Sequence, residues 1–589
     1  MKILLNKKIL SLISIVAFGI VIAVLSPVLS ADFFCWDDKT VALSPLVRIL
    51  NFRQLIYIFS EFHAGLYHPI TTLSFAIDYT IGNGHAFEFH LTNFLIHIIN
   101  IILVFHLSFK LTKSKACAFG IALFFGILPI NVEVVAWITS RKDSIYTMFF
   151  LAGLILYSEY LTKGGKGYYI IVFILFLFSS LSKIQAVTFP LILLSIDYLH
   201  NRRMLNRKVI LEKIPFFILA ILIIFINLQA QKSYGYINYG GKYSLFEQII
   251  TFSTGFNHYI LNIIFPFNIS VFYPFPFSPG ADIPVFYLLQ PLILILYLIM
   301  LGYFILKGKR IHVFGAFFFF VTISVTLLIQ NHRDAIIADR YGYLASLGIL
   351  ILISVFLLKL SQRIPKLKWI VAGIMVMYFL IFGYITFVQS TLWQSLSQLM
   401  EASLKHYPDT PIILNTLATE EIKKEDFHEA LANLNTAIRI DPGFTDALYN
   451  RGIVNDRLQD FENALKDFTV CINSNPYYTD AYFGRGNIFR QMGNTDNAIK
   501  DFSTVIRLDK NNAGAWNNRA IVKGQQGNFS GAISDLDVAI EIQNDLAPAY
   551  YLRGVAKFKV GLNGCDDLHK AVSLNYTNAE KALQFYCGR

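Results

Sequence analysis

Two patterns of apolar and polar residues divide the chain. Before about residue 390, apolar stretches near the roughly 20 residues that a membrane-crossing helix needs alternate with short polar connections. After that point the long apolar stretches end, and the chain has the character of a soluble domain. The pattern predicts an all-α protein in which a polytopic transmembrane helix bundle spans 1–390 and a second domain spans 391–589.

The apolar stretches predict about eleven crossings. Basic residues cluster in the connections near 110, 202, 307 and 363, and such clusters mark cytoplasmic loops. With a cytoplasmic N-terminus, the C-terminus then lies outside, as do the segments 30–90, 137–143, 229–285 and 331–340. Segment 246–265 is apolar enough to cross, but a crossing there would reverse the later loops, which favours a re-entrant or surface-lying helix. The predicted spans are 9–29, 91–109, 116–136, 144–161, 168–182, 186–199, 213–228, 286–306, 312–330, 341–360 and 369–388.

Composition supports a membrane protein and excludes several classes of enzyme. Hydrophobic residues make up 55% of the chain and charged residues only 15%, which is too apolar for a soluble multidomain protein. The net charge of +11 lies largely in the short loop clusters, so nucleic acid is not an expected partner. The five cysteines have no metal-ligand or redox spacing, which predicts free thiols. Phosphate-loop, nucleophile-elbow and zincin motifs are missing from the sequence, so no nucleotide cofactor is expected.

Positions recur every 34 residues after residue 400. Small residues at these positions let two antiparallel helices approach closely, and the 34-residue period is that of tetratricopeptide repeats. The period predicts an α-solenoid of about 4–5 repeats whose concave face holds an extended peptide. One arginine in each repeat forms a ladder that could bind a protein acceptor; the alternative is pairing with nearby acids such as Asp467, Asp501 and Asp535. The recurring residues are Ala447, Ala481, Ala515 and Ala549, and the arginines are Arg451, Arg485, Arg519 and Arg553.

Adjacent carboxylates mark the external end of the first span. Asp37 and Asp38 follow Trp36 there, and acids are costly to bring close to lipid without a purpose. The pair could bind a divalent cation such as Mg²⁺ or Mn²⁺, or one aspartate could act as general base while the other positions it. The alternative is an ordinary solvated start of a loop.

Basic residues in the external turns predict an anionic ligand. Arg141 and Lys142 occupy a tight external turn, contrary to the usual distribution of positive charge, and such cations suit a lipid phosphate. The alternative is that they pair with Glu133 and Asp143. Further residues on the same side extend the predicted site. Arg340, in a loop with Asp339, His332, Arg333 and Asp334, suits a phosphate-sugar donor. Lys183 is a third candidate cation, or its side chain snorkels to the membrane surface. His68 and His90 are predicted metal or hydrogen-bond ligands, with a structural role as the alternative.

A family resemblance joins these motifs. Trp36-Asp37-Asp38, Tyr67-His68-Pro69, Phe89-His90-Leu91, Arg141-Lys142-Asp143, Leu181-Ser182-Lys183 and Asp339-Arg340-Tyr341 resemble, in order, the transmembrane and tetratricopeptide-repeat O-mannosyltransferase family. The likeness spans nearly the whole chain. It implies the GT-C glycosyltransferase fold, a polyprenyl-phosphate sugar donor on the external face and Ser/Thr hydroxyls of proteins as acceptors, with inversion at the anomeric carbon.

The resemblance also implies residue roles. Asp37 or Asp38 would be the catalytic carboxylate or a metal ligand, and Arg141, Lys142 and Arg340 would lie near the donor phosphate. Where relatives often read His-Pro-Val-His-Val-Glu, this chain has Leu-Pro-Ile-Asn-Val-Glu at 128–133, which puts a metal role of those histidines in doubt. The short repeat array favours a bacterial relative in the cytoplasmic membrane with its repeats outside; the alternative is the endoplasmic reticulum with repeats in the lumen.

Two other functions fit parts of the pattern. A membrane-anchored scaffold would use the repeats to assemble proteins, but one span would be enough for an anchor. A transporter of lipid-linked sugars or a polymerase acting on an envelope glycan would share the membrane bundle. The aspartates favour transfer over transport, but they do not distinguish a protein acceptor from a glycan or lipid acceptor.

Overall fold

The structure is helical and divides into two compact units, Met1–Pro408 and Asp409–Arg589. The computed structural model describes residues 7–33, 37–63, 65–204, 206–233, 243–330 and 335–588. Within these ranges it has no β-strand, only isolated antiparallel bridges that join His63 to Leu66 and Tyr273 to Ile337. The predicted all-α class is therefore confirmed. Trp36, His332, Arg333 and Asp334 lie outside the described residues.

Long apolar helices and short connecting helices alternate along the first unit. Short 3-10 helices at Pro129–Asn131, Ile138–Ser140, Ile184–Thr188 and Asp339–Tyr341 lead directly into longer ones. In chain order the α-helices are α1 Lys7–Leu25, α2 Asp38–Ala42, α3 Phe52–Ser60, α4 Pro69–Gly82, α5 Ala86–Thr112, α6 Lys115–Gly126, α7 Val132–Ala136, α8 Arg141–Lys163, α9 Lys166–Ser182, α10 Phe189–Leu199, α11 Arg207–Ser233, α12 Leu245–Ile264, α13 Val285–Leu288, α14 Gln290–Leu306, α15 Arg310–Gln330, α16 Gly342–Arg363, α17 Lys368–Leu392 and α18 Leu396–His406.

Seven helical segments of the described chain are long and apolar enough to cross a membrane, or eight if α6 and Pro129–Ala136, bent by 54°, form one span. The predicted spans 168–182 and 186–199 fall on shorter apolar helices, Lys166–Ser182 and Ile184–Leu199. Helix α12 covers the predicted re-entrant segment and is not one of the seven; its place relative to the membrane stays a prediction. The seven are Ala86–Thr112, Ile138–Lys163, Arg207–Ser233, Val285–Leu306, Arg310–Leu328, Asp339–Arg363 and Pro365–Leu392. The first unit is thus the helix bundle of a multi-pass membrane protein.

Small residues and buried polar groups hold the bundle together. Helices α15 and α16 meet at Gly315 and Gly348, where a Cβ added to Gly348 would lie 2.5 Å from the Gly315 carbonyl oxygen. Such contacts replace the hydrophobic effect between helices in lipid. His97 of α5 is hydrogen-bonded through Nδ1 to the hydroxyl of Tyr343 in α16 at 2.7 Å, and Asn100 donates to the same hydroxyl at 3.2 Å.

Antiparallel helix pairs build the second unit. Gly452 and Gly484 allow this close packing, because a Cβ on either would lie within 3.0 Å of the Phe468 ring. The helices are α19 Pro411–Lys423, α20 Phe427–Ile440, α21 Thr445–Arg457, α22 Phe461–Ser474, α23 Thr479–Gln491, α24 Thr495–Leu508, α25 Ala513–Gln525, α26 Phe529–Ile542, α27 Ala547–Lys559, α28 Cys565–Ser573 and α29 Ala579–Cys587.

A disulfide closes the end of the second unit. Cys565 at the start of α28 is bonded to Cys587 at the end of α29. The prediction of free thiols is therefore wrong for this pair, because the fold brings together two cysteines whose spacing matches no motif. Cys117 and Cys471 are free and buried, and Cys35 lies outside the described residues.

Candidate active site

The turn that precedes α8 holds the two adjacent aspartates. Thr139 lies in the 3-10 helix Ile138–Ser140, and its backbone N–H donates to Oδ1 of Asp38 at 3.1 Å. The Thr139 hydroxyl donates to Oδ1 of Asp37 at 2.6 Å, across 102 residues of chain. Asp38 is completely buried, whereas Asp37 is partly exposed. The predicted external segments 30–90 and 137–143 thus meet at these carboxylates.

A cavity of about 200 Å³ opens beside Asp37. Lys142, His63 and His68 also line it. This volume lies below the roughly 300–1,000 Å³ of pockets for drug-sized ligands, so the cavity suits a small polar group. The remaining lining residues are Val41, Leu66, Thr71, Thr72, Phe75 and Thr139.

Lys142 is the predicted phosphate-binding residue that lines this cavity. Its side chain is partly exposed. In the parts of the chain that the structure describes, it has neither an ion pair nor a side-chain hydrogen bond. A lysine that lines a cavity without such contacts can pair with an anionic ligand without first breaking an internal contact.

Arg141, the neighbouring cation, is used inside the protein. Its side chain is 0% exposed, and Nη2 lies 2.5 Å from Oδ2 of Asp78 in α4. Nε donates to Oδ1 of Asn93 at 2.6 Å, and Nη2 also donates to the Phe89 carbonyl at 2.7 Å. The guanidinium stands 4.6 Å from the centre of the Phe75 ring. Arg141 therefore ties α8 to α4 and α5, and it does not line the cavity.

Two further ion pairs flank the site. Nζ of Lys183 pairs with Asp143, and the Arg340 guanidinium pairs with Glu133, whose Oε2 also accepts the Arg340 backbone N–H at 2.9 Å. Both cations lie over the ring of Tyr341, at 4.6 Å for Lys183 and 4.9 Å for Arg340. The alternative in which Glu133 and Asp143 pair with Arg141 and Lys142 is thus wrong, because other helices supply their partners.

Burial changes the acid–base behaviour of Lys183. The side chain is 4% exposed, and loss of hydration lowers its pKa to about 8, while the nearby Asp143 carboxylate opposes the shift. A lysine of this kind carries its charge at neutral pH and loses it at mildly alkaline pH.

Asp339 and His90 are predicted site residues that do not line the cavity. Asp339 is buried and accepts a hydrogen bond from the Tyr273 hydroxyl, which lies 3.0 Å from each carboxylate oxygen. This contact joins the described part of the loop 229–285 to the start of α16. His90 is completely buried in α5.

The described residues do not provide a complete metal-binding set. They contain no group of three or more His, Cys, Asp or Glu side chains that could hold a metal ion. Asp37 and Asp38 each direct one carboxylate oxygen to Thr139. We therefore derive no chemical step through a metal, and the divalent cation stays a prediction.

The arginine ladder follows the internal pairing alternative. Arg485 binds Asp501 through two parallel hydrogen bonds, Nε to Oδ2 at 2.8 Å and Nη2 to Oδ1 at 2.9 Å. Its third nitrogen, Nη1, donates to the Thr469 hydroxyl at 3.1 Å. The same bidentate arrangement joins Arg451 to Asp467, Arg519 to Asp535 and Arg553 to Asp567. These arginines brace neighbouring helices, and acceptor binding by the ladder stays a prediction.

Known proteins that resemble this chain include tetratricopeptide-repeat families and protein O-mannosyl-transferases. The family descriptions "Tetratricopeptide repeat" and "TPR repeat" match residues 415–471 and 486–527. A Caenorhabditis elegans protein O-mannosyl-transferase is 28% identical over 187 residues, which are 30% of this chain and 26% of that protein. Part of the chain is similar to protein O-mannosyl-transferases. TMTC2 of Mus musculus, a protein O-mannosyl-transferase, is 33% identical over 147 residues, or 23% of this chain and 17% of the mouse protein.

The O-mannosyl-transferases are matched over only part of their length. The matched stretches span about a quarter or less of the length of the O-mannosyl-transferases. Among solved structures, MamA protein has a TM-score of 0.27 at 20% identity, covering 29% of this chain and 96% of MamA. YrrB, described as a TPR protein with an unusual peptide-binding site, has a TM-score of 0.28 at 17% identity, covering 32% and 98%. TM-scores this low carry no argument about function.

Sequence reasoning missed two residues of the site. His63 gives no signal, because it is an isolated histidine in an irregular segment. Asp78 does give one: it is the only charged residue of α4, whose other residues are apolar or uncharged. A lone acid in such a helix indicates a buried cationic partner, which the structure identifies as Arg141.

Proposed function

We propose that this protein transfers a sugar, mannose in the first instance, from a polyprenyl-phosphate-linked donor to Ser/Thr hydroxyls of protein acceptors. One observation carries the proposal: a carboxylate, Asp37, and a cation without an acidic partner among the described residues, Lys142, line the same small cavity. Transfer of this kind needs a base for the acceptor and a positive charge for the leaving phosphate. The similarity to protein O-mannosyl-transferases supports the same chemistry.

Asp37 is the proposed general base. One of its oxygens accepts from Thr139, and the other is available to take the proton of the acceptor hydroxyl. The hydroxyl oxygen then forms a bond to the anomeric carbon. The bond from that carbon to the phosphate oxygen breaks, and the phosphate leaves with the electron pair. Asp38, completely buried behind Thr139, positions the turn.

Cations stabilise the leaving group in this proposal. Lys142 pairs with the phosphate of the departing polyprenyl phosphate. Lys183 and Arg340 lie over Tyr341 and add positive potential, although Asp143 and Glu133 offset much of it. No nucleotide is needed, because the sugar–phosphate bond of the donor is already activated.

The repeats bring the acceptor to the enzyme. An α-solenoid offers an extended surface for a peptide, and holding the acceptor raises its local concentration without a part in bond making. The disulfide Cys565–Cys587 favours an oxidising compartment for this unit, which agrees with repeats outside a bacterial cytoplasmic membrane or in the lumen of the endoplasmic reticulum.

The test is transfer of labelled mannose from polyprenyl-phosphate mannose to protein, with the full chain in membranes. We expect Asp37→Asn to lower transfer by about 10²–10⁴-fold, the usual contribution of a general base, with an unchanged melting temperature. Asp38→Asn serves as the matched neighbour and should reduce transfer less. Label found only in glycan or lipid would change the acceptor class. Equal signal from the parent chain, both variants and cells without the protein would favour the scaffold.

A further inference from the structure

Two histidines in the wall of the cavity have buried ring nitrogens without a partner. Nε2 of His63 and Nε2 of His68 are shielded from solvent, and neither bonds to any described residue. Both side chains line the cavity that contains Asp37 and Lys142. A buried polar atom without a hydrogen bond opposes folding, so its presence calls for a reason other than stability.

The backbone positions of both histidines are fixed by hydrogen bonds. His63 and Leu66 exchange two backbone hydrogen bonds of 2.9 Å, which closes a tight bridge. The carbonyl of His68 accepts from the backbone N–H of Thr72 at 3.0 Å and starts α4, with Pro69 as its first residue. The imidazoles are therefore presented from fixed backbone positions, which is the condition for selective binding.

Burial disfavours the charged form of both imidazoles. It lowers the pKa of His63, although a backbone hydrogen bond to Val41 opposes the shift. Burial lowers the pKa of His68 well below its usual value, and the charges of Lys142 and Lys183 act in the same direction. A neutral imidazole has one donor and one acceptor nitrogen, as a hydroxyl both donates and accepts. Such a ring suits a hydroxyl better than a phosphate, which Lys142 can bind.

We propose that His63 and His68 bind hydroxyl groups of the sugar that enters the cavity, and so determine which sugar is accepted. The inference rests on the proposed sugar transfer. An acceptor Ser or Thr hydroxyl has the same chemistry, but two imidazoles in one small cavity fit the several hydroxyls of a sugar better than a single hydroxyl.

The experiment uses the full chain in lipid nanodiscs, with labelled polyprenyl-phosphate mannose as donor and a Ser/Thr-containing peptide as acceptor. We expect His63→Ala and His68→Ala each to raise the KM for the donor about 3- to 10-fold, the effect of one lost hydrogen bond. Because Nε2 of His68 has no partner to lose, the melting temperature of His68→Ala should stay the same or rise. Glutamine at either position keeps a donor and an acceptor and should restore part of the affinity.

His97→Ala is the matched control for a structural histidine. Its ring is also buried, but Nδ1 bonds to the Tyr343 hydroxyl at 2.7 Å and Nε2 to the Gly126 carbonyl at 3.2 Å. Its replacement should lower the melting temperature. The same result for His63→Ala or His68→Ala would identify those residues as structural and overturn the inference.

The remaining outcomes separate the inference from the proposed function. A rise in the KM for the peptide alone would assign the pair to the acceptor and overturn the sugar assignment. Unchanged kinetics in a parent chain that transfers mannose would overturn the inference and leave the proposed function intact. A parent chain that neither transfers mannose nor is stabilised against heat by the donor would reject both. Stabilisation by the donor that His63→Ala and His68→Ala abolish would support the inference even without transfer.

Discussion

Arg141 and Lys142 are neighbours in the sequence, but replacing Arg141 should lower the stability of the protein, whereas replacing Lys142 should lower sugar transfer. Arg141 is 0% exposed, and its guanidinium is paired with Asp78 and hydrogen-bonded to Asn93 and Phe89. Arg141→Met would leave the Asp78 carboxylate buried without its counter-charge, and removing one partner of a buried pair costs about 3–5 kcal/mol. Lys142 has no such partner among the described residues, so Lys142→Met should change the free energy of unfolding by no more than about 0.5 kcal/mol.

The assay compares thermal unfolding of the full chain in detergent with the KM for polyprenyl-phosphate mannose. Arg141→Met should melt at a clearly lower temperature, and a second change, Asp78→Asn, should recover part of the loss because it removes the uncompensated charge. Lys142→Met should melt like the parent chain and lose transfer. If Arg141→Met melted like the parent chain but bound the donor poorly, Arg141 would contact the phosphate and the buried-pair reasoning would be refuted.

Two further predictions concern Lys183 and the disulfide. Burial lowers the pKa of Lys183 to about 8 from 10.5, so the folded chain binds fewer protons than the unfolded chain between these pH values. Burying the charged lysine therefore destabilises the folded chain below pH 8, and this destabilisation disappears as the pH rises toward 10.5. Transfer should fall as pH rises through 8 and Lys183 loses its charge, and Lys183→Arg should shift that fall upward; a pH–rate profile that is flat from pH 7 to 9, or the same in both proteins, would contradict this role. Cys565→Ser with Cys587→Ser should lower the stability of the second unit by roughly 3 kcal/mol, the usual effect of opening a loop of this size. Unfolding curves with and without reductant check this prediction, and identical curves would speak against the bond.

Local pattern determined the architecture of both units. An apolar run of about 20 residues predicts a membrane helix, and a 34-residue period predicts a stack of helix pairs, because each depends only on neighbours along the chain. The same reasoning found Asp37, Lys142 and His68 as candidates. Basic residues in external turns run against the usual distribution of positive charge, so their presence is a signal before their partners are known.

Only the tertiary structure decided which of these groups is available. Thr139 meets Asp37 from 102 residues away, Asp78 occupies Arg141, and Cys565 meets Cys587, and no motif or spacing predicts these encounters. Whether a charged side chain is buried and paired depends on contacts between helices that are far apart in the sequence. Arg141 and Lys142 are adjacent in one turn, and each carries a positive charge. Asp78 of α4 pairs with Arg141, whereas Lys142 lines the cavity and can bind a ligand.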